Sequence, residues 1–168
     1  FRQGKKYIDP ETKQFLGINA DDIGTGEVVA QEGDIATVAL SRTTQEARIG
    51  DRLFPTEHRA VNSTFMPSEP QTEIRGVILD VPRGVSRIGQ LDVVTINKGK
   101  IDGLVEGNVL AIYKTGETVR DRVTDKPIKI PDERSGMLMV FRTYEKLSYG
   151  LVLSASRDLS VMDKVRNP

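Results

Sequence analysis

The chain has 168 residues, with 24 Lys and Arg against 24 Asp and Glu, one His, no Cys and no Trp. Its length fits one ordinary domain or two small ones at roughly 100–200 residues per domain, and the lack of Cys excludes a disulfide framework, thiolate metal sites and a cysteine nucleophile. A net charge of zero supplies no long-range attraction to nucleic acid or to an anionic membrane, and the longest apolar stretch, 136–141, is far short of the ~20 residues that span a bilayer.

Apolar residues recur in short runs rich in Val and Ile, fenced by Gly, Pro, Asn and Asp, which is the signature of strands. In chain order they predict strands at 7–8, 15–16, 27–30, 35–40, 53–54, 75–81, 91–96, 109–113, 128–130, 137–142, 149–155 and 164–166. No window carries a helical stripe. At most a turn or two of helix is expected, at 44–48 or near 102–105. The connections 55–72, with three prolines, and 114–131 interrupt the pattern. An all-β fold follows: small barrel-like or sandwich-like units, mainly antiparallel, with an N-terminal subdomain at 1–72 and a C-terminal barrel-like subdomain at 73–168.

A degenerate threefold repeat underlies these runs. Gly26, Gly76 and Gly136 each lead an apolar strand; a second apolar strand follows at 35–40, 91–96 and 150–155; a turn and a short apolar segment follow at 49–54, 106–111 and 161–165. Gly50-Asp51 and Gly107-Asn108 suit such turns, since Gly reaches positive φ without steric cost and Asp or Asn bonds to nearby backbone. Met162-Asp163 departs from the pattern. The second strands are apolar on both faces and are expected to be buried on both.

Candidate chemistry is sparse. His58 lies between Glu57 and Arg59 in a polar connection; without a second His or an evident nucleophile it reads as an exposed loop residue. Asp21-Asp22 and Asp132-Glu133 are adjacent carboxylates, but glycoside hydrolysis needs one carboxyl buried and raised in pKa, and their polar turn contexts suit solvated groups. Asn62-Ser63-Thr64 matches a glycosylation acceptor. Gly99, Gly103 and Gly107 recur every four residues among Lys100, Asp102 and Glu106, marking turns. Arg142, Tyr144, Lys146 and Tyr149 interleave basic and aromatic residues around one hairpin, as single-strand-binding faces do; in a neutral chain they read as a rim. No residue is assigned to catalysis, to a cofactor or to a metal.

Taken as an ordered set, Tyr7-Ile-Asp-Pro-Glu-Thr-Lys13, Phe15-Leu-Gly17, Gly50-Asp-Arg-Leu-Phe-Pro55, Ile88-Gly-Gln90, Gly103-Leu-Val-Glu-Gly107, Pro131-Asp-Glu-Arg-Ser-Gly136, Val140-Phe-Arg142 and Ser148-Tyr149 resemble the C-terminal region of LysM-containing envelope proteins of Gram-negative bacteria. The resemblance implies export, a periplasmic address, and association with peptidoglycan through a LysM module expected upstream of this chain. Gly50-Asp-Arg-Leu53 is similar to a LysM opening, but Pro55 and the residues after it lack the helical stripe of that module, so no glycan-binding residue carries over. The stretch 97–110 is similar to small β-barrels of envelope and flagellar assembly proteins. The expected function is a non-enzymatic accessory region that supports wall association and docks another envelope protein. The alternatives are a carbohydrate-active enzyme using Asp21, Asp22, Asp132 or Glu133, and a single-strand nucleic-acid binder using the 142–149 hairpin.

Overall fold

The computed structural model describes residues 1–56, 65–81 and 88–168. Twelve strands run through them: β1 (Arg2–Ile8), β2 (Phe15–Asp21), β3 (Gly24–Glu32), β4 (Ile35–Thr43), β5 (Arg75–Asp80), β6 (Val93–Ile96), β7 (Val109–Lys114), β8 (Thr118–Arg120), β9 (Pro127–Lys129), β10 (Glu133–Thr143), β11 (Ser148–Ala155) and β12 (Lys164–Arg166). The fold is all-β, with one 3-10 turn at Lys100–Asp102 and no helix at 44–48 among the described residues. By contacts the chain forms two units, Phe1–Ile8 with Gly17–Val61, and Asp9–Leu16 with Asn62–Pro168.

In the first unit β1 pairs with β2 and β3 with β4, each a two-stranded sheet. Tyr7 and Ile23 are its buried apolar side chains among the described residues, too few for burial alone to hold it. A bidentate Arg2–Asp51 pair adds a polar tie, with Nε to Oδ1 at 3.0 Å and Nη2 to Oδ2 at 2.9 Å. The expectation that every second apolar strand is buried on both faces fails at β4, where Ile35 is 74% and Leu40 53% exposed. A two-stranded ribbon has no second layer to cover it.

The second unit is a closed antiparallel barrel in the order β5-β6-β11-β10-β7-β12. Strands β7, β10 and β11 are successive neighbours and β12 returns beside β7, a Greek key, with the β8–β9 hairpin inserted between β7 and β10. Ile78, Val94, Ile96, Leu110, Ile112, Leu138, Val140, Val152 and Val165 fill the interior with no solvent exposure, each burial contributing about 1.5–3 kcal/mol.

Three equivalent turns build this barrel, at 89–92, 105–108 and 160–163. In each the last amide bonds to the first carbonyl: Asp92 to Gly89 at 3.4 Å, Asn108 to Val105 at 3.2 Å and Asp163 to Ser160 at 3.1 Å. The side chain of the last residue accepts the first residue's amide, at 2.7, 2.9 and 2.8 Å respectively. The third residue, Leu91, Gly107 or Met162, takes φ of 69°, 97° or 75°. With its successor it opposes a single core residue on the neighbouring strand, Val152, Val140 or Ile78. Two residues facing one, the first left-handed, is a β-bulge of the glycine type. A strand begins at once after each turn: β6, β7 and β12.

What recurs three times in the barrel is this turn and the strand after it, not the three-part unit read from the sequence. Met162 keeps the turn geometry despite its side chain. The third barrel copy is 89–92, so Leu91 is a turn residue, 70% exposed, and β6 starts at Val93. The 48–51 turn has the same two hydrogen bonds and Gly50 at φ 100°, but it lies in the first unit and residues 53–54 form no strand.

Within the second unit the Asp9 carboxylate joins the 9–16 segment to the barrel. Its Oδ1 accepts the amides of Glu11 and Thr12 at 2.9 and 2.8 Å, and its Oδ2 accepts Asn97 Nδ2 at 2.8 Å. Asn97 Oδ1 in turn accepts the Val77 amide at 2.7 Å. Burial pulls the Asp9 pKa upward, but the bonds from Thr12, Asn97 and Glu11 outweigh it and hold the carboxyl below its usual range.

Candidate ligand-binding face

Cross-strand register assembles the most distinctive outer surface of the barrel. Arg142 on β10 pairs with Tyr149 on β11, Tyr149 with Thr95 on β6, and Thr95 with Asp80 on β5. Residues directly opposite on adjacent strands share a face. Val94 and Ile96 flank Thr95 and point into the core, so this row lies on the other face of the sheet, where Asp80, Tyr149 and Arg142 are partly exposed and Thr95 is covered. The ladder is irregular between Val140 and Arg142, which leaves Phe141 as an extra residue beside the row.

Aromatic contacts result. Phe141 stacks on Tyr149 with centroids 6.4 Å apart and planes at 19°, and Tyr144 meets Tyr149 edge-on at 5.8 Å and 85°. The Arg142 guanidinium lies over the Tyr144 ring at 5.6 Å. Tyr149 is raised above its ordinary pKa, first by burial and then by the negative fields of Tyr144 and Asp80, with Arg142 opposing. Within the row Thr95 is fully buried, and its Oγ1 has no hydrogen-bond partner among the described residues. Among the described residues, Arg142 and Lys146 stand against Asp80 and Glu145 in formal charge. Such a surface offers ring faces, an acid and a guanidinium; it is equipped to hold a flat, hydroxylated ligand.

Of the residues singled out from the sequence, the structure brings Arg142, Tyr144 and Tyr149 together and shows no aromatic contact for Lys146. Phe141, Thr95 and Asp80 were missed. Nothing local marks them, because they join the site only through register and a bulge.

The carboxylate pairs are engaged structurally. Asp132 Oδ2 receives Lys164 Nζ and Arg166 Nη2, both at 2.8 Å, and Oδ1 receives the Gly116 amide at 3.3 Å. The Lys164 bond, against partial burial, holds Asp132 below the usual carboxylate pKa, the opposite of what a general acid needs. Glu133 pairs with Arg157 at 2.8 Å. Asp21 accepts Asn19 Nδ2 at 2.6 Å, and Asp22 accepts the Gly24 amide at 2.9 Å. Asp163 moves the other way, raised chiefly by burial, but its Oδ2 is committed to the Ser160 amide. His58 and Asn62-Ser63-Thr64 lie outside the described residues.

Among the described residues no cluster of three or more His, Cys, Asp or Glu is placed to hold a metal, and no helix is long and apolar enough to cross a membrane. Comparison with protein-family models and with curated proteins finds no match.

Proposed function

We propose that this chain is a non-enzymatic interaction region of an exported LysM-type envelope protein, and that it contacts peptidoglycan through the face that carries Asp80, Tyr149 and Arg142. The observation that carries the reading is the stack of Phe141 and Tyr149 beside an acid and a guanidinium. The less polar face of a sugar ring fits against an aromatic plane, while its hydroxyls bond to carboxylate and guanidinium. A net charge of zero over the whole chain disfavours a nucleic acid, whose backbone is followed by an excess of cations. The order of motifs along the chain supports the envelope setting, and the ion-paired, ionised Asp132 supports binding over hydrolysis.

Co-sedimentation with purified sacculi tests this. The full chain is expected in the pellet, with retention falling about tenfold for Tyr149→Ala and little changed for Val119→Ala on the β8–β9 hairpin. Absence of binding, or retention indifferent to Tyr149, would overturn the assignment of the face.

A further inference from the structure

The β3–β4 hairpin poses a separate question. Among the described residues its sheet has two strands and no third, so there the outer edge of β4 carries backbone donors and acceptors that no strand pairs. Along that edge, residues 35–41 read Ile-Ala-Thr-Val-Ala-Leu-Ser, with no charge, no Pro and no Gly. Natural edge strands are usually blunted by Lys, Pro or a short length, and an uncharged β-prone run of this size is a strong pairing template. Val28 and Val29 are each 61% exposed, Ile35 74% and Leu40 53%, so the ribbon has apolar surface and little to bury it. Two strands alone are marginally stable; four are not.

The charges that bracket the run specify the occupant. Asp34 precedes it and Arg42 follows it. We propose that the chain self-associates through β4, which pairs antiparallel with β4 of a second copy about a twofold axis at Val38. That register places Ala36 opposite Leu40, Thr37 opposite Ala39, and Asp34 opposite the second copy's Arg42 at both ends. The contact is isologous and closes on itself as a dimer, with a four-stranded sheet β3-β4-β4-β3. A parallel pairing would set Asp34 against Asp34 and Arg42 against Arg42, which is unfavourable. Of the two irregularities in the β3–β4 ladder, one leaves Ser41 extra on β4, beyond Leu40, and the other leaves Val29 extra on β3; β4 itself runs without an extra residue over 36–40, and Arg42 reaches Asp34 with its side chain. Among the described residues of its own chain Arg42 makes a loose ion pair with Asp22 at 3.8 Å, both groups well exposed, a contact worth little.

Sedimentation equilibrium of the full chain tests the proposal. A concentration-dependent dimer is expected. Asp34→Arg alone and Arg42→Asp alone should each weaken it about tenfold, since each sets like charges together, and the double exchange should recover it to within about threefold. The register has its own readout. Because the chain has no cysteine, Val38→Cys should form a disulfide-linked dimer under mild oxidation, whereas Val29→Cys on β3 should not. A chain that stays monomeric at high micromolar concentration overturns the proposal, as do single charge reversals that dimerise like the parent. Capture of a different protein by a monomeric chain would assign the edge to that partner and overturn it equally.

Discussion

Met162 and Leu91 hold the left-handed backbone that Gly107 holds at the equivalent turn, at a cost of roughly 1–2 kcal/mol for an L-residue. Both are largely exposed, 50% and 70%, so little burial offsets that cost. Met162→Gly is expected to stabilise the chain by up to about 1 kcal/mol in urea unfolding, after allowance for the greater freedom of Gly in the unfolded chain. The reverse change separates two glycines. A Cβ on Gly107 would stand 2.6 Å from the Met66 carbonyl oxygen, while one on Gly50 would meet nothing within 4 Å. Gly107→Val should therefore cost about 3 kcal/mol and Gly50→Val about 1–2, a ranking that melting curves will show. Asp163 and Asn108 do the same hydrogen-bonding work, but Asp163 carries a buried charge and a raised pKa. A raised folded pKa contributes stability below the unfolded value near 3.9 and loses it as pH rises through the folded value. Asp163→Asn should thus stabilise the chain at neutral pH and match the parent at strongly acidic pH, as paired unfolding curves will show.

Elements here are joined by polar ties at their ends. Strand β12 has three residues, yet it pairs with both β5 and β7 and closes the barrel. Lys164 and Arg166 from that strand converge on Asp132, and Arg166 lies over the Tyr113 ring of β7 at 5.2 Å. The lowered pKa of Asp132, caused first by Lys164, contributes stability above the unfolded value and loses it as pH falls through the folded one. Asp132→Asn should cost about 1 kcal/mol at neutral pH and make the acid limb of the stability curve shallower, measured by denaturation from pH 7 to 3. The strands themselves were legible in the sequence: nearly every predicted run lies on a strand, because a Val- and Ile-rich run fenced by turn residues has few other options. Residues 118–120 were missed, their single Val119 leaving no pattern to find. The helical expectation at 44–48 failed for want of an apolar stripe.

At the scale of the molecule, closure distinguishes the second unit from the first. Asn167 extends the β12 seam, accepting the Ile74 amide at 2.7 Å and donating to the Thr72 carbonyl at 3.0 Å. Deleting residues 164–168 would expose edges on β5 and β7 together and open the core; loss of cooperative unfolding and faster amide exchange in both strands are expected. The proposed binding face also exists only at this scale. Tyr149 and Arg142 could be suspected from their sequence, whereas Asp80 and Thr95 reach them across three strand pairings that no local pattern encodes. By itself the sequence determined strands, turns and an all-β class, since those follow from side-chain branching, glycine and the Asp or Asn that closes each turn. Tertiary structure decided which turns are equivalent, which strands neighbour one another and which apolar residues stay in solvent. Those outcomes depend on long-range register and on barrel closure, where one residue of slip sends every side chain to the other face.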